Sequence, residues 1–182
     1  MSTKLKSLIP DAVTIICLHE LGLWEKLCAC TRVVVPSVIV HQAQFYKDPV
    51  SGERVEINLE AQVLAGQISQ EAVDVEETAE FMSHFDAVMT ESLHPGEIEA
   101  LTLLFKNRVP DCKFCSADQA AVKALVLVGM KDKGLSLEKV LEHTGLRRKS
   151  LKAQYSERRF QDWVRQAEID RIQGTGLARC PF

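Results

Sequence analysis

Short apolar runs alternate along the chain with longer stretches in which apolar residues recur every three or four positions. Residues 32–35 form a β-branched run that ends at Pro36, and residues 112–117 form a second strand-like run. Residues 73–89 and 97–107 instead carry their apolar side chains at helical spacing. The same spacing predicts further helices between Ser136 and Gly145 and in residues 119–130 and 156–172.

The order of these segments predicts an α/β fold, in which helices flank a mostly parallel sheet. Residues 48–52 have the turn sequence Asp-Pro-Val-Ser-Gly and separate two strand-like segments, so we expect a hairpin insertion at about residues 46–60. Ser37, directly after Pro36, is a candidate N-cap for the helix that follows. We expect these elements to form one domain in residues 1–133.

The remaining residues, 134–182, are expected to form a helical extension that packs on this domain. Phe160 and Trp163 lie on the apolar side of its last helix. We therefore expect these two rings to pack on the domain. Arg158 and Arg159 lie on the polar side of the helix and are expected to remain exposed.

The overall composition is that of a globular protein. Hydrophobic residues make up 46% of the 182 residues and charged residues 26%, which excludes a disordered or collagen-like chain. No apolar run has the length of a membrane span, and the first ten residues lack the apolar core of a signal peptide, so we expect a cytoplasmic protein. Reduced thiols are then expected. Cys112 and Cys115 have the spacing of a zinc or redox pair, but no second pair follows, which favours structural thiols.

The charges are distributed unevenly along the chain. Residues 55–105 contain eleven acidic side chains and no lysine or arginine, whereas residues 136–182 contain ten lysines and arginines and six acidic residues. This asymmetry is typical of an acid-lined site beside a surface that accepts phosphates. Two solvated faces of opposite charge would give the same counts, and the sequence leaves both interpretations open.

Three carboxylates stand at the predicted ends of elements. Asp11 begins the first apolar run, Glu97 lies in the first turn of a helix, and Asp118 follows the strand-like run. Ligands of parallel α/β sheets bind beyond the carboxyl ends of the strands, and carboxylate oxygens are the donors that Mg²⁺ and Mn²⁺ prefer. Each residue alone is better explained as a helix cap. Together they predict a metal site.

Four segments in this order resemble the PIN-domain nucleases, in the branch with a Gly-Glu-x-Glu-Ala signature. They are Asp11, Val34-Val35-Pro36-Ser37-Val38-Ile39-Val40, Gly96-Glu97-Ile98-Glu99-Ala100-Leu101 and Ser116-Ala117-Asp118. The resemblance covers roughly residues 6–130. It implies a PIN-like three-layer sandwich and cleavage of RNA phosphodiesters with Mg²⁺ or Mn²⁺. Many bacterial members of the family are toxins that are paired with an antitoxin.

The resemblance also implies roles for individual residues. Asp11, Glu97 and Asp118 would be the catalytic, metal-binding carboxylates. Glu99 or His41 would be a further ligand. The supporting residues would be Thr14, through a hydrogen bond to Asp11, and Ser116, which would orient a carboxylate or phosphate.

The sequence departs from the family in the helix after Pro36. The family usually has a glutamate there, and this chain has His41 and Gln42. A site that lacks one carboxylate should hold Mg²⁺ more weakly, and an imidazole from His41 would favour Mn²⁺. We therefore expect weak cleavage with Mn²⁺ ahead of Mg²⁺. The alternative is a weak or inactive PIN-like protein that binds nucleic acid or a protein partner.

A cluster of cations near the C-terminus is the candidate RNA surface. Its simplest explanation is a solvated helix face, but interleaved aromatic residues and arginines are also typical of nucleic-acid binding. Residues 137–151 have some helix-turn-helix character, so a DNA-binding module stays a third hypothesis. The candidate nucleic-acid contacts are Arg147, Arg148, Lys149, Arg158 and Arg159.

The expected partner is RNA, with an antitoxin protein as a second candidate and no membrane contact. The sequence leaves a homodimer open.

Overall fold

The structure, a computed structural model, describes residues 5–146 and 150–179. The predicted RNA contacts Arg147, Arg148 and Lys149 lie outside these residues.

Five short parallel strands form the central sheet, in the order β5-β2-β1-β6-β7. A separate antiparallel hairpin, β3-β4, lies within the predicted insertion. The strands are β1 (Ser7–Pro10), β2 (Arg32–Pro36), β3 (Phe45–Lys47), β4 (Arg54–Glu56), β5 (Ser69–Glu71), β6 (Cys112–Cys115) and β7 (Gly134–Leu135).

Ten α-helices lie in the described part of the chain. They are α1 (Ala12–Glu20), α2 (Trp24–Cys30), α3 (Ser37–Gln42), α4 (Leu59–Leu64), α5 (Val75–Met82), α6 (Ala87–Ser92), α7 (Pro95–Phe105), α8 (Gln119–Leu127), α9 (Leu137–Thr144) and α10 (Glu157–Gln173). None of them is long and apolar enough to cross a membrane.

Side chains of the three central strands, β1, β2 and β6, alternate between two hydrophobic cores. Leu8 belongs to a core with α1, α2, α3 and α9, while the next residue, Ile9, belongs to a core with α5, α6, α7 and α8. Phe114 and Cys115 alternate in the same way. The protein is therefore an α/β sandwich of three layers, consistent with the PIN-like architecture that the resemblance implies.

The pairing register of the strands determines which strand ends lie next to each other. Pro10 at the end of β1 pairs with Cys115 at the end of β6, so the residues that follow these strands are neighbours. Asp11 and Asp118 are the N-caps of α1 and α8, which begin at this edge of the sheet. The topology thus brings together two carboxylates that are more than a hundred residues apart in the chain.

The predicted helix at residues 73–89 is wrong in its length. It is two helices, α5 and α6, because the chain turns between them and Phe85 pairs with Leu177 from the C-terminal segment. Asp86 then caps α6 by accepting the Met89 N–H at 2.8 Å.

The C-terminal residues are joined to the sandwich more closely than an appended extension would be. β7, at Gly134–Leu135, is the fifth strand of the sheet and follows residue 133 directly. Phe160 and Trp163 of α10 pack against Val122 of α8, whereas Arg158 and Arg159 are exposed. The predicted packing of α10 is confirmed.

Candidate functional site

The first turn of α7 lies close to the cap residues at the carboxyl edge of the sheet. Gly96 allows this approach, because a Cβ atom at this position would lie 2.5 Å from Gln42 Oε1 and 2.6 Å from Ile39 Cγ1 of α3. Such distances are shorter than real Cβ contacts, so a larger residue would push α3 and α7 apart. The glycine of the Gly-Glu-x-Glu-Ala signature therefore sets the position of Glu97.

His94, Glu97 and Asp118 form a group of potential metal ligands. One ligand atom from each residue lies within 4.8 Å of the other two. Glu97 is buried, Asp118 is half-buried and His94 is exposed, so the group opens to solvent on one side. Two carboxylates and an imidazole are donors that suit a divalent cation, and the imidazole shifts the preference from Mg²⁺ toward Mn²⁺.

Glu97 lies in an environment that disfavours its charge. Burial raises its pKa to about 7, with further contributions from the negative charges of Asp118 and Asp11. The backbone N–H of His94 donates to Glu97 Oε2 at 3.0 Å, and this bond lowers the pKa in part. A cation among these carboxylates would remove the repulsion that the carboxylates create.

Asp118 uses one carboxylate oxygen to cap α8. Its Oδ1 accepts the N–H groups of Ala120 at 2.7 Å and Ala121 at 3.2 Å, and its own N–H donates to Ser116 Oγ at 3.0 Å. Among the described residues, no hydrogen bond reaches Asp118 Oδ2 or Glu97 Oε1. One oxygen of each carboxylate is therefore available to a ligand.

Asp11 is placed differently. Its Oδ1 accepts the Thr14 N–H at 2.6 Å, and its Oδ2 accepts Ser116 Oγ at 2.5 Å and the Ala117 N–H at 3.3 Å. Burial raises the pKa of Asp11, and these hydrogen bonds offset the rise in part. Asp11 is not a member of the 4.8 Å group. It anchors the loop between β6 and Asp118, through Ser116, and adds negative charge behind Glu97.

Glu99 lies two residues from Glu97 and has its own partners. It is buried, and it accepts Ser37 Oγ at 2.6 Å and the Val38 N–H at 2.7 Å. These bonds cap the start of α3 from outside the helix, which corrects the expectation that Ser37 itself is the N-cap. Ser37 is the first helical residue, and its hydroxyl is a donor to Glu99.

His41 faces away from the site. Its Nδ1 lies 3.4 Å from Glu60 Oε1, and it lines a separate cavity of about 280 Å³ beside Phe45. Gln42 instead lines a cavity of about 210 Å³ together with Asp11, Glu97 and His94. The expectation that position 41 supplies a ligand is therefore corrected, because a neutral amide at position 42 occupies this side of the site.

His94 is the residue that sequence reasoning missed. Its Nδ1 lies 3.4 Å from Glu97 Oε2. The available signal was its spacing, because residues three apart in the first turn of a helix are neighbours. His94 is the N-cap residue of α7, and its side chain is exposed to solvent.

The start of α10 lies at the same edge of the sheet as the site. Ser136, directly after β7, donates from Oγ to Glu157 Oε2 at 2.6 Å. Arg158 and Arg159 follow, and the Arg159 guanidinium lies 5.6 Å from the centre of the Trp163 ring. Two exposed cations thus follow the residue that contacts Ser136 at the carboxyl end of β7.

Cys112 and Cys115 form no disulfide and lie buried on β6. This agrees with the interpretation of that pair as structural.

Comparison of the chain with protein-family models, curated proteins and solved structures gave no match.

Proposed function

We propose that the protein is a divalent-metal-dependent nuclease that hydrolyses phosphodiester bonds of RNA. The observation that carries the proposal is the meeting of His94, Glu97 and Asp118 within 4.8 Å at the carboxyl edge of a parallel sheet. Ligand sites of such sheets lie at this edge. The resemblance to PIN-domain nucleases supports the same conclusion, since two of the three residues belong to its motifs.

Glu97, Asp118 and His94 would hold the cation. Their donor atoms fit Mn²⁺ better than Mg²⁺, and Glu97 Oε1 and Asp118 Oδ2 are not committed to other described residues. A bound divalent cation supplies a more acidic water and offsets the charge that develops on the phosphate. In the hydrolysis, the water oxygen bonds to phosphorus, one P–O ester bond breaks, and the leaving oxygen takes a proton. No protein nucleophile is required.

The surrounding residues position this group. Ser116 receives the Asp118 N–H and donates to Asp11, so it couples the loop of Asp118 to the buried start of α1. Arg158 and Arg159 give the neighbouring surface positive charge, which suits the backbone of a strand that enters the acidic site. RNA is the proposed substrate on this basis.

Cleavage of labelled single-stranded RNA with Mn²⁺ or Mg²⁺ tests the proposal. Asp118→Asn keeps an N-cap for α8, because asparagine caps as well as aspartate does, but it removes the charge. We expect cleavage to fall about a hundredfold, as when one electrostatic group is lost from an active site. Asp74→Asn is the matched control, since Asp74 caps α5 by accepting the Glu77 N–H and takes no part in the 4.8 Å group. Equal activity of the two variants would contradict the proposal.

Gln42 favours a second candidate, a PIN-like protein that binds RNA or a protein partner and cleaves weakly or not at all. The position that faces the site carries an amide where the family has a carboxylate. Gln42→Glu should then increase Mn²⁺ affinity and cleavage together, while His41→Glu, on the side of Glu60, should change neither. If Gln42→Glu gains affinity but wild type and variant both fail to cleave RNA that they bind, the second candidate is the better one. A role as a toxin, an antitoxin partner and a homodimer stay predictions.

A further inference from the structure

A cavity of about 410 Å³ lies beside Asp118 and is separate from the smaller cavity that Asp11 and Glu97 line. One wall is α6, with Val88 and Met89, and another is the first turn of α8, with Ala120. The third wall comes from the segment after α10, at Thr175 and Gly176. Asp118 therefore takes part both in the group of potential metal ligands and in this cavity.

The third wall is held in place by backbone contacts. The Asp86 N–H donates to the carbonyl of Gly176 at 3.1 Å, and the Ala178 N–H donates to the carbonyl of His84 at 2.9 Å. Gly176 has φ +87°, and a Cβ atom there would lie 3.0 Å from Leu127 Cδ1. The glycine allows the segment to pack directly on α8, so the cavity is preformed.

The lining charges determine what the cavity can hold. Lys123 is paired with Asp170 at 2.8 Å, whereas Asp86 and Asp118 both contribute carboxylates. Asp86 uses Oδ1 to accept the Met89 N–H, and no hydrogen bond from a described residue reaches its Oδ2. This lining disfavours a phosphate and suits a neutral group that has an apolar face and hydroxyl or amino donors.

We propose that this cavity binds the nucleoside that adjoins the scissile phosphate of the RNA substrate. The proposal rests on the proposed function, because Asp118 places the cavity next to the group of potential metal ligands. Val88, Met89 and Ala120 contact the flat apolar face of the base, and Asp86 accepts a hydrogen bond from a ribose hydroxyl. The volume is within the range of small-ligand sites. A 2′-hydroxyl contact of this kind distinguishes RNA from DNA.

Binding of free nucleosides tests the cavity without any catalysis. Adenosine, cytidine and uridine are titrated separately into the ¹⁵N-labelled full chain in the presence of EDTA, with 2′-deoxyadenosine for comparison. We expect saturable millimolar binding of at least one ribonucleoside, with amide shifts at Val88, Ala120 and Thr175. The deoxynucleoside should bind more weakly. The inference is overturned if none of the ribonucleosides binds at about 10 mM, a concentration that detects Kd values near 1 mM, or if the shifts lie elsewhere.

A matched pair of variants locates the binding. Val88 and Val75 are both exposed valines in the first turn of a short helix, at 77% and 80%. Val88→Trp fills the mouth of the cavity and should weaken nucleoside binding about tenfold, a loss comparable to that of one good contact. Val75→Trp, on α5, should leave the affinity unchanged. Equal affinities of the two variants would overturn the inference.

KM values for two substrates distinguish this inference from the proposed function. Bis(4-nitrophenyl) phosphate has no nucleoside, so Val88→Trp should raise the KM for RNA by a much larger factor than the KM for this ester. If both KM values change equally, the cavity is not a nucleoside subsite although the nuclease proposal stands. If neither substrate is hydrolysed, the nuclease proposal fails, and the nucleoside titration alone decides whether the cavity binds a nucleoside.

Discussion

Two pairs of carboxylates lie at the same edge of the sheet and differ in their partners. Asp11 and Glu99 each accept hydrogen bonds on both oxygens from the chain itself. Glu97 and Asp118 each have one oxygen that no described residue reaches, and they lie within 4.8 Å of each other and of His94. The difference shows that residue type and position at an element end do not identify a ligand. The number of internal donors is what distinguishes the two pairs.

The largest effect is expected when Asp11 is replaced, and it is a loss of stability. Asp11→Ala removes the cap of α1 and leaves the buried Ser116 hydroxyl without its acceptor, so we expect a loss of about 2–4 kcal/mol in the free energy of unfolding. Urea denaturation in EDTA measures it. Asp118→Asn, which keeps its cap, should lose less than about 0.5 kcal/mol. A similar loss for both variants would mean that Asp11 and Asp118 do not differ in their internal hydrogen bonds.

The next largest effect is a pH-dependent gain in stability when Glu97 is replaced by glutamine. The pKa of Glu97 in the folded chain is about 7, above the ordinary value of 4.5. The protonated form is favoured in the folded state, so its contribution to stability is complete below about pH 4.5 and is lost as the pH rises through 7. Glu97→Gln should therefore be more stable than wild type at pH 8 without metal, by on the order of 1–3 kcal/mol, and equally stable at pH 4.5. Urea denaturation at both pH values measures the difference.

Glu99→Gln is the control for this experiment. Glu99 accepts two hydrogen bonds at the start of α3, so removing its charge should lower stability at pH 8 by about 1 kcal/mol. A gain in both variants would show that the two glutamates share one environment.

Binding of Mn²⁺ is expected to have a smaller effect, an increase in thermal stability. At pH 8, where Glu97 is ionised, Mn²⁺ at about ten times its Kd should raise the Tm of wild type by about 3–6 °C. Asp118→Asn should lose most of this rise, and Asp74→Asn should keep it. The same rise in all three proteins would place the cation elsewhere.

The smallest effect on stability is expected when His94 is replaced by alanine. His94→Ala removes a side chain that is 72% exposed and should change stability by less than about 0.5 kcal/mol, while Mn²⁺ affinity falls about tenfold. His41→Ala is matched in exposure, at 68%, and should change neither quantity. Calorimetric titration with Mn²⁺ measures both affinities. If only the His41 variant loses affinity, the assignment of the imidazole ligand is reversed.

The sequence predicted the α/β class and the strands β2 and β6, because their apolar runs are local patterns. It did not predict β1, and it did not predict β5 and β7, which are only three and two residues long. The sequence predicted the end of β2 at Pro36, but it extended β6 to residue 117, two residues beyond Cys115. It also offered Asp11 and Asp118 as helix caps, which they are. The break in the predicted helix at residues 73–89 was not predicted, because Phe85 is held by Leu177, which lies far along the chain.

The site itself was only partly predictable. Three-residue spacing in a helix could have indicated His94 beside Glu97, but the partners of Glu99 lie about sixty residues away, at Ser37 and Val38. The choice between His41 and Gln42 depends on the rotation of a six-residue helix that has no strong periodicity. Short helices and long-range donors are therefore where sequence reasoning fails here.

We propose that Glu97, Asp118 and His94 bind one divalent cation. Crystals of the wild-type chain soaked in Mn²⁺ at pH 8, with anomalous diffraction data, test it most directly. We expect a single strong anomalous peak within coordination distance of Glu97 Oε1, Asp118 Oδ2 and a ring nitrogen of His94, and no such peak in crystals of Asp118→Asn. A peak between His41 and Glu60, or none near Glu97, would contradict the claim.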